Sequence, residues 1–183
     1  MTRSLTFVVA VLIVAALAGC TPDGQETPTP EPVVYTPMPT PSPEWTPVEQ
    51  GAIDTVQKYL QLWAYLGQNV GSVDLNQIRE VAYDPEGNDD LLMWANWVDQ
   101  GWHLVGSPEF TPQTVVAGAI DYQGQRYDVY GCFIISNSYI SDSAGNSVGD
   151  EGRQERGISR YRVLHTVNNE YYVTESSMED GTC

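Results

Sequence analysis

Basic residues are scarce in this chain. Its 183 residues include 8 Lys and Arg against 24 Asp and Glu, a formal net charge of −16, and Lys58 is the single lysine. Nucleic acid binding needs clustered Lys and Arg to displace counterions from phosphates, so nucleic acid is excluded as a partner. Direct adsorption to anionic lipid is disfavoured for the same reason. The acidity itself reads as solubility and self-repulsion. Histidine is nearly absent, with two residues, and no His or Cys pair has the spacing of zinc ligands. Gly145-x-x-x-Gly149 lacks the lysine of a phosphate-cradling loop, and no Gly-x-Ser-x-Gly elbow occurs. Neither a metal nor a cofactor is therefore expected.

No hydrophobic run is long enough to span a bilayer comfortably. The longest covers residues 5–18, with Thr6 as its one interruption, whereas a spanning helix needs roughly 20 apolar residues. Preceded by Arg3, this run reads as a signal peptide over residues 1–19. It ends in Leu17-Ala18-Gly19-Cys20, which resembles the bacterial lipobox. The resemblance implies cleavage before Cys20 and diacylglycerol on its thiol, anchoring the chain at the extracytoplasmic face of the plasma membrane. Two acyl chains give lasting anchorage, because each buried methylene contributes ~0.8 kcal/mol and one chain alone is marginal. Loss of Arg3 would leave 7 basic and 24 acidic residues, a net charge of −17.

Residues 20–48 read as a tether. The stretch 21–48 holds nine of the twelve prolines, mostly in Thr-Pro and Ser-Pro units. Proline lacks the amide donor that helix and central strand need, so the segment is expected to be extended. At ~3.1 Å per residue its contour approaches ~85 Å. Trp45 is unusual in such a linker and is expected to pack on the domain that follows. With Cys20 consumed by lipid, Cys132 and Cys183 remain. An even pair in an exported domain reads as a disulfide, the alternative being two free thiols.

Residues 49–183 are one domain's worth of chain. Thr46-Pro47-Val48-Glu49 carries a capping box with proline at the first helical position. Apolar residues at Ile53, Val56, Leu60, Trp63 and Leu66 predict an amphipathic helix that ends at Gly67. Two further helices are predicted over 74–83 and 89–100, the second stopping at Gly101. Strands are predicted over 102–105, 113–122, 126–137, 157–167 and 170–178, with a polar loop over 142–156 and a hairpin turn at Asn168-Asn169. Helices followed by a strand meander make an α+β pattern.

The order of these elements resembles the nuclear transport factor 2-like superfamily, also called SnoaL-like or ketosteroid isomerase-like, and in particular its lipid-anchored actinobacterial members. The residues that carry the resemblance are Leu104-Val105-Gly106-Ser107-Pro108 at the entry to the sheet, Val129-Tyr130-Gly131-Cys132 on a strand, the loop from Ser141 through Gly145 to Val148, Asn169-Glu170-Tyr171-Tyr172-Val173, and Gly181-Thr182-Cys183. It covers residues 100–183 well and the helices by order alone. Tyr171 stands where the family commonly has tryptophan. The resemblance implies three N-terminal helices packed on a curved antiparallel sheet, a cone with a pocket inside, and in some members dimerisation through the sheet.

Enzymes of the superfamily place an acid–base residue in that pocket. Alternation along 157–167 puts Tyr161, Val163, His165 and Val167 on one face and Arg160 and Arg162 on the other. His165 is thus the candidate general base, near Tyr59 and Trp63, with Asp121 or Asp128 as partner and His103 a weaker alternative. Tyr59, Trp63, Tyr130, Tyr161 and His165 are the candidate pocket residues. Trp94 and Trp97, three apart on a helix, are a candidate exposed patch for a protein partner. The leading expectation is a non-enzymatic, membrane-anchored domain that binds a protein or a small apolar ligand. The alternatives are an isomerase, cyclase or hydratase using His165, and an immunity-type surface protein.

Overall fold

The computed structural model describes residues 44–149 and 154–183. The expected signal peptide, Cys20 and nearly all of the expected tether lie outside the described residues. What is described is α+β: two α-helices and a short 3-10 helix, followed by strands in two antiparallel sheets.

Helix α1, Pro47–Gln68, begins where its capping box requires. The Glu49 amide donates to Thr46 Oγ1 at 3.3 Å, and the Glu49 carboxylate accepts from the Thr46 amide at 2.8 Å. Two backbone donors that a helix start leaves orphaned are satisfied reciprocally. The buried stripe runs through Ala52, Ile53, Val56, Tyr59, Leu60 and Ala64, and Trp45 packs against the same core. The helix does not stop at Gly67; it continues to Gln68 and is capped by Asn69. Gly67 instead serves as a point of close approach. A Cβ there would stand 3.2 Å from Leu104 Cβ and 3.4 Å from both Trp94 Nε1 and the Trp97 ring.

The second expected helix is a single stretch of 3-10 helix, Leu75–Glu80, with Asp74 as its cap. Tertiary hydrogen bonds explain why it ends early. The Tyr83 amide donates to the Val173 carbonyl and the Val173 amide to the Val81 carbonyl, each at 2.8 Å. A sheet strand has taken the backbone groups that further helix would use.

Helix α2, Glu86–Gln100, starts three residues earlier than predicted and ends in a left-handed Gly101, as expected. Glu86 and Asp89 in its first turn suit the positive end of the helix dipole. The proposed tryptophan patch on this helix is corrected by the structure: Trp94 is fully buried and Trp97 is 5% exposed. Both pack on Trp63 of α1, with ring centroids 6.1 Å apart in each pair, in the space that Gly67 leaves. The large apolar side chains that α2 does expose are Leu92 and Val98. Among the described residues Trp94 Nε1 has no hydrogen-bond partner.

The main sheet has the order β2-β3-β6-β7, from Glu109–Ile120, Gly124–Ile134, Arg156–Thr166 and Tyr171–Glu179. A smaller sheet has the order β1-β4-β5, from His103–Val105, Tyr139–Ser141 and Ser147–Val148. Strands β3 and β6 pair without interruption from Gly124↔Thr166 to Ile134↔Arg156, whereas the β6–β7 ladder carries an irregularity between Arg162 and Val163. Such an irregularity bends and twists the strand. The inner face presents Val129, Tyr161, Val163 and Val173 to the core beside α1. On the outer face Arg162 meets Asp128 at 2.9 Å, Arg160 meets Glu179 at 3.2 Å, and both arginines reach Glu175. Single exposed pairs of this kind contribute ~0–1 kcal/mol each, so this ladder mainly keeps the outer face polar.

Cys132 and Cys183 form a disulfide with Cα atoms 5.6 Å apart. It ties Cys183, beyond the end of β7, to the C-terminal part of β3.

Candidate functional site

The first turns of α2 position the chemistry. Glu86 and Asp90 are four residues apart, so they share one helix face, and that face is the one bearing Trp94 and Trp97. A carboxylate on the buried face of a helix is costly unless its oxygens are hydrogen-bonded. Here they are. Ser176 on β7 donates to Glu86 twice, from its amide at 2.9 Å and from its hydroxyl at 2.6 Å. Trp63 Nε1 donates to Asp90 Oδ1 at 2.9 Å. The Tyr59 hydroxyl lies 2.9 Å from Glu86 Oε1 and also 2.9 Å from Asp90 Oδ2.

A phenol has one hydrogen to give. It can serve Glu86 or Asp90, so one of these two 2.9 Å contacts needs a second proton. Asp90 is the group that holds one. Burial above all, and then the neighbouring Glu86 and Asp89, raise its pKa to about 7 against the hydrogen bonds from Tyr59 and Trp63. The same burial, with the charges of Asp90 and Glu86 beside it, pushes the Tyr59 phenol well above its ordinary range. The network is complete when the Asp90 carboxyl donates to the Tyr59 oxygen and Tyr59 donates to Glu86.

This network forms one wall of a cavity of about 370 Å³. Helix α1 contributes Tyr59, Leu60 and Trp63; α2 contributes Glu86, Asp90 and Met93. Phe133 of β3, Ser159 and Tyr161 of β6, and Ser176, Ser177 and Met178 of β7 complete it. Tyr161 is buried, and its phenol is raised by burial and by the charge of Glu86. Ser159 directs its hydroxyl to the Met178 sulfur at 3.0 Å. A larger groove of about 510 Å³ lies between α1 and residues 107–110. It holds no buried titratable group, and Gln68 in its wall is occupied by the Gly106 carbonyl at 2.6 Å, so the smaller cavity is the stronger candidate.

Of the pocket residues expected from the sequence, Tyr59, Trp63 and Tyr161 come together in this cavity, and Tyr130 and His165 do not line it. Tyr130 pairs with Arg160 and Thr114 in the β3 register and shares the outer face with Asp128 and Arg162. His165 sits at the β6–β7 hairpin end. Its ring stacks on Tyr171 with centroids 4.2 Å apart, and Nε2 lies 2.9 Å from Asn169 Oδ1. The expected inward face holds at Tyr161 and Val163, which are buried, but β6 ends at Thr166 and Val167 is exposed, while Tyr171 covers the His165 ring at a hairpin end that lies beyond the cavity. The carboxylates suggested as its partners are occupied elsewhere. Asp121 accepts from the turn amides of Gln123 and Gly124 and pairs with Arg126, while Asp128 pairs with Arg162. His103 lies on β1 opposite Ser141.

Sequence reasoning missed Glu86, Asp90, Ser159 and Ser176. A signal for the first two was present: residues 86, 90, 94 and 97 keep helical spacing, which places two acids in line with two tryptophans. Among the described residues no group of three or more His, Cys, Asp and Glu side chains could hold a metal ion, and no helix is long and apolar enough to cross a membrane.

No protein-family model matches the chain, and no curated protein matches it. Among solved structures it is similar to the intermembrane space region of the chloroplast protein ARC6, at 14% identity and a TM-score of 0.47, over 74% of this chain and 98% of that one. A cyanobacterial iota-carbonic anhydrase complexed with bicarbonate is similar at 10% identity and a TM-score of 0.41, over 79% of this chain and 100% of that one. A protein from Catenulispora acidiphila is similar at 9% identity and a TM-score of 0.38, over 72% and 93% of the two chains. At this level of likeness the neighbours assign the chain to no family, and its chemistry has to be argued from its own residues.

Proposed function

We propose that this chain is a bacterial lipoprotein, anchored through diacylglycerol on Cys20 and held outside the membrane by its proline-rich tether, whose domain binds a small ligand without transforming it. The domain is read as a nuclear transport factor 2-like cone, with the main sheet curved around α1 and with α2 and the 3-10 helix beside its mouth. Burial of Val129, Tyr161, Val163 and Val173 on the inner face, and the irregularity in the β6–β7 ladder, support that reading. The single observation that carries the binding role is the 370 Å³ cavity, whose wall places the Glu86–Tyr59–Asp90 network beside Trp63, Tyr161 and Phe133. A few oriented polar groups in an otherwise apolar concavity are the usual make-up of a ligand site.

The test is a small-molecule library screened against the full-length chain by thermal shift, with Met178→Trp as control. Met178 lines the cavity and is half-exposed, so a tryptophan there fills the space at little cost to folding. Hits that stabilise the parent chain and not the variant support the proposal. A library that shifts neither, or both alike, removes it. Anchorage is checked separately: the protein with Cys20 is expected in the membrane fraction with acyl mass on its first mature residue, and Cys20→Ala in the soluble fraction. Recovery of an unacylated, uncleaved parent chain would refute the lipoprotein reading.

A second reading is favoured by one observation. Asp90 holds its proton to about pH 7, so it could act as a general acid–base for an isomerase- or hydratase-type reaction. In that case turnover, and not binding alone, would vanish in Asp90→Asn.

A further inference from the structure

The hydrogens in the cavity wall point to the class of ligand. With both carboxyl groups ionised, Tyr59 would stand 2.9 Å from an oxygen of each with one hydrogen to share. The wall would then be one donor short at the Tyr59–Asp90 contact. The Tyr161 phenol, 4% exposed, hydrogen-bonds with Ser159, and its ring packs on Phe110 and Tyr59. No Lys or Arg lines the space, so nothing there would offset an anionic ligand. Beside Leu60 and three serines, the remaining wall offers the rings of Trp63, Phe133 and Tyr161 and the thioethers of Met93 and Met178, which attract a cation through ring quadrupoles and polarisable sulfur.

We infer that the cavity selects an organic cation, with an ammonium head seated between Tyr59 and Asp90 and an aromatic or alkyl body against Trp63, Tyr161 and Phe133. This rests on the small-ligand reading above. The exchange is balanced. The Asp90 O–H bond breaks and its proton goes to solvent. The ammonium keeps its own hydrogens and donates one to Asp90 Oδ2, and Tyr59 keeps its hydrogen bond to Glu86. One positive charge enters and one leaves, so the buried wall gains no net charge. The charged groups that face Asp90 are Glu86 and Asp89 on α2, with the Tyr59 phenol on α1; the Tyr161 phenol on β6 is the further titratable group of the wall.

Matched probes that share a body and differ in the head test this: 2-phenylethylamine, 2-phenylethanol and phenylacetate, with the hexyl amine, alcohol and acid as a second set. Each is titrated calorimetrically into the full-length chain in buffers of different ionisation enthalpy. An amine is expected to bind at least about tenfold more tightly than its alcohol. It should release close to one proton at about pH 5.5 and almost none at about pH 8. Asp90→Asn keeps the shape, and its amide can donate to Tyr59, so the variant should fold. It should lose about tenfold or more of the amine affinity and little of the alcohol's. The inference is overturned if an alcohol or an acid binds best, or if an amine binds without proton release in the unmutated chain. Those outcomes leave the small-ligand reading standing. Binding by none of the six probes overturns the cation assignment, and the library screen alone then decides whether the cavity binds anything.

Discussion

Replacing both Cys132 and Cys183 by alanine is expected to lower the unfolding free energy by about 4 kcal/mol. The bond joins residues 51 apart in sequence, and closing a loop of that length removes roughly 4 kcal/mol of chain entropy from the unfolded state. The folded state loses a fastening as well. Beyond Glu179 the chain has no strand pairing of its own. Apart from the disulfide, Cys183 is held by Arg156, which reaches its carbonyl at 3.5 Å. Without the disulfide the stretch after Glu179 loses its covalent tie to the sheet beside Ile158, where β6 meets the end of β7. Urea unfolding of the oxidised parent and the double variant measures the effect. With slopes of about 1–3 kcal/mol per molar urea, the midpoint should fall by roughly 1.3–4 M. A fall of less than about 1 kcal/mol would mean that the contacts of β7 alone hold the C-terminus. Reductant should reproduce the variant's midpoint in the parent and change nothing in the variant.

Stability is expected to decline as pH rises from about 4 to about 7, and Asp90 is the cause. Its folded-state pKa, about 7, lies above the ordinary value of 3.8. Between those two values the folded chain holds a proton that the unfolded chain has lost, so unfolding releases it and higher pH favours unfolding. The contribution is fully present below pH 3.8 and disappears as pH passes 7. Each unit is worth about 1.4 kcal/mol, so the full span is on the order of 4 kcal/mol. Surface carboxylates act in the opposite sense. Asp74, Asp121 and Asp142 have lowered pKa values, from hydrogen bonds with Asn76, with Arg126 and with Asn146 respectively. Their stabilisation is lost as pH falls through their folded pKa values. Asp90→Asn separates the two effects. Its profile should be flat between about pH 5 and 7 where the parent's slopes downward, with the two curves converging at low pH and the variant the more stable above neutrality. Parallel curves would show that Asp90 titrates normally and that the second proton in the Tyr59 network lies elsewhere.

The elements that local chemistry encodes were legible. The Thr46–Glu49 box and its apolar stripe placed α1 at the right start and the right face. Gly101 closed α2, and Asn169, in the left-handed region at φ 64°, made the β6–β7 turn that its sequence suggested. The errors share a cause. Gly67 read as a helix stop because a glycine's local meaning is backbone freedom, whereas here it makes room for Leu104, Trp94 and Trp97. The stretch 81–83 read as helix because nothing local reveals that Val173 will take its hydrogen bonds. Trp94 and Trp97 read as a surface patch because a spacing of three fixes a shared face without saying which way that face turns.

The sequence by itself determined the acid balance, the class of fold, the first helix and its inward face, the hairpins, and the two cysteines available to pair. These follow from periodicity, capping and turn chemistry, which act over a few residues. The tertiary structure decided that Glu86 and Asp90 turn inward, that Ser176, ninety residues from Glu86, satisfies it, that His165 is covered by Tyr171, and that Cys183 reaches β3. A side chain's local sequence sets its direction on its own element, but its burial and its proton affinity are set by whichever distant segment packs against it.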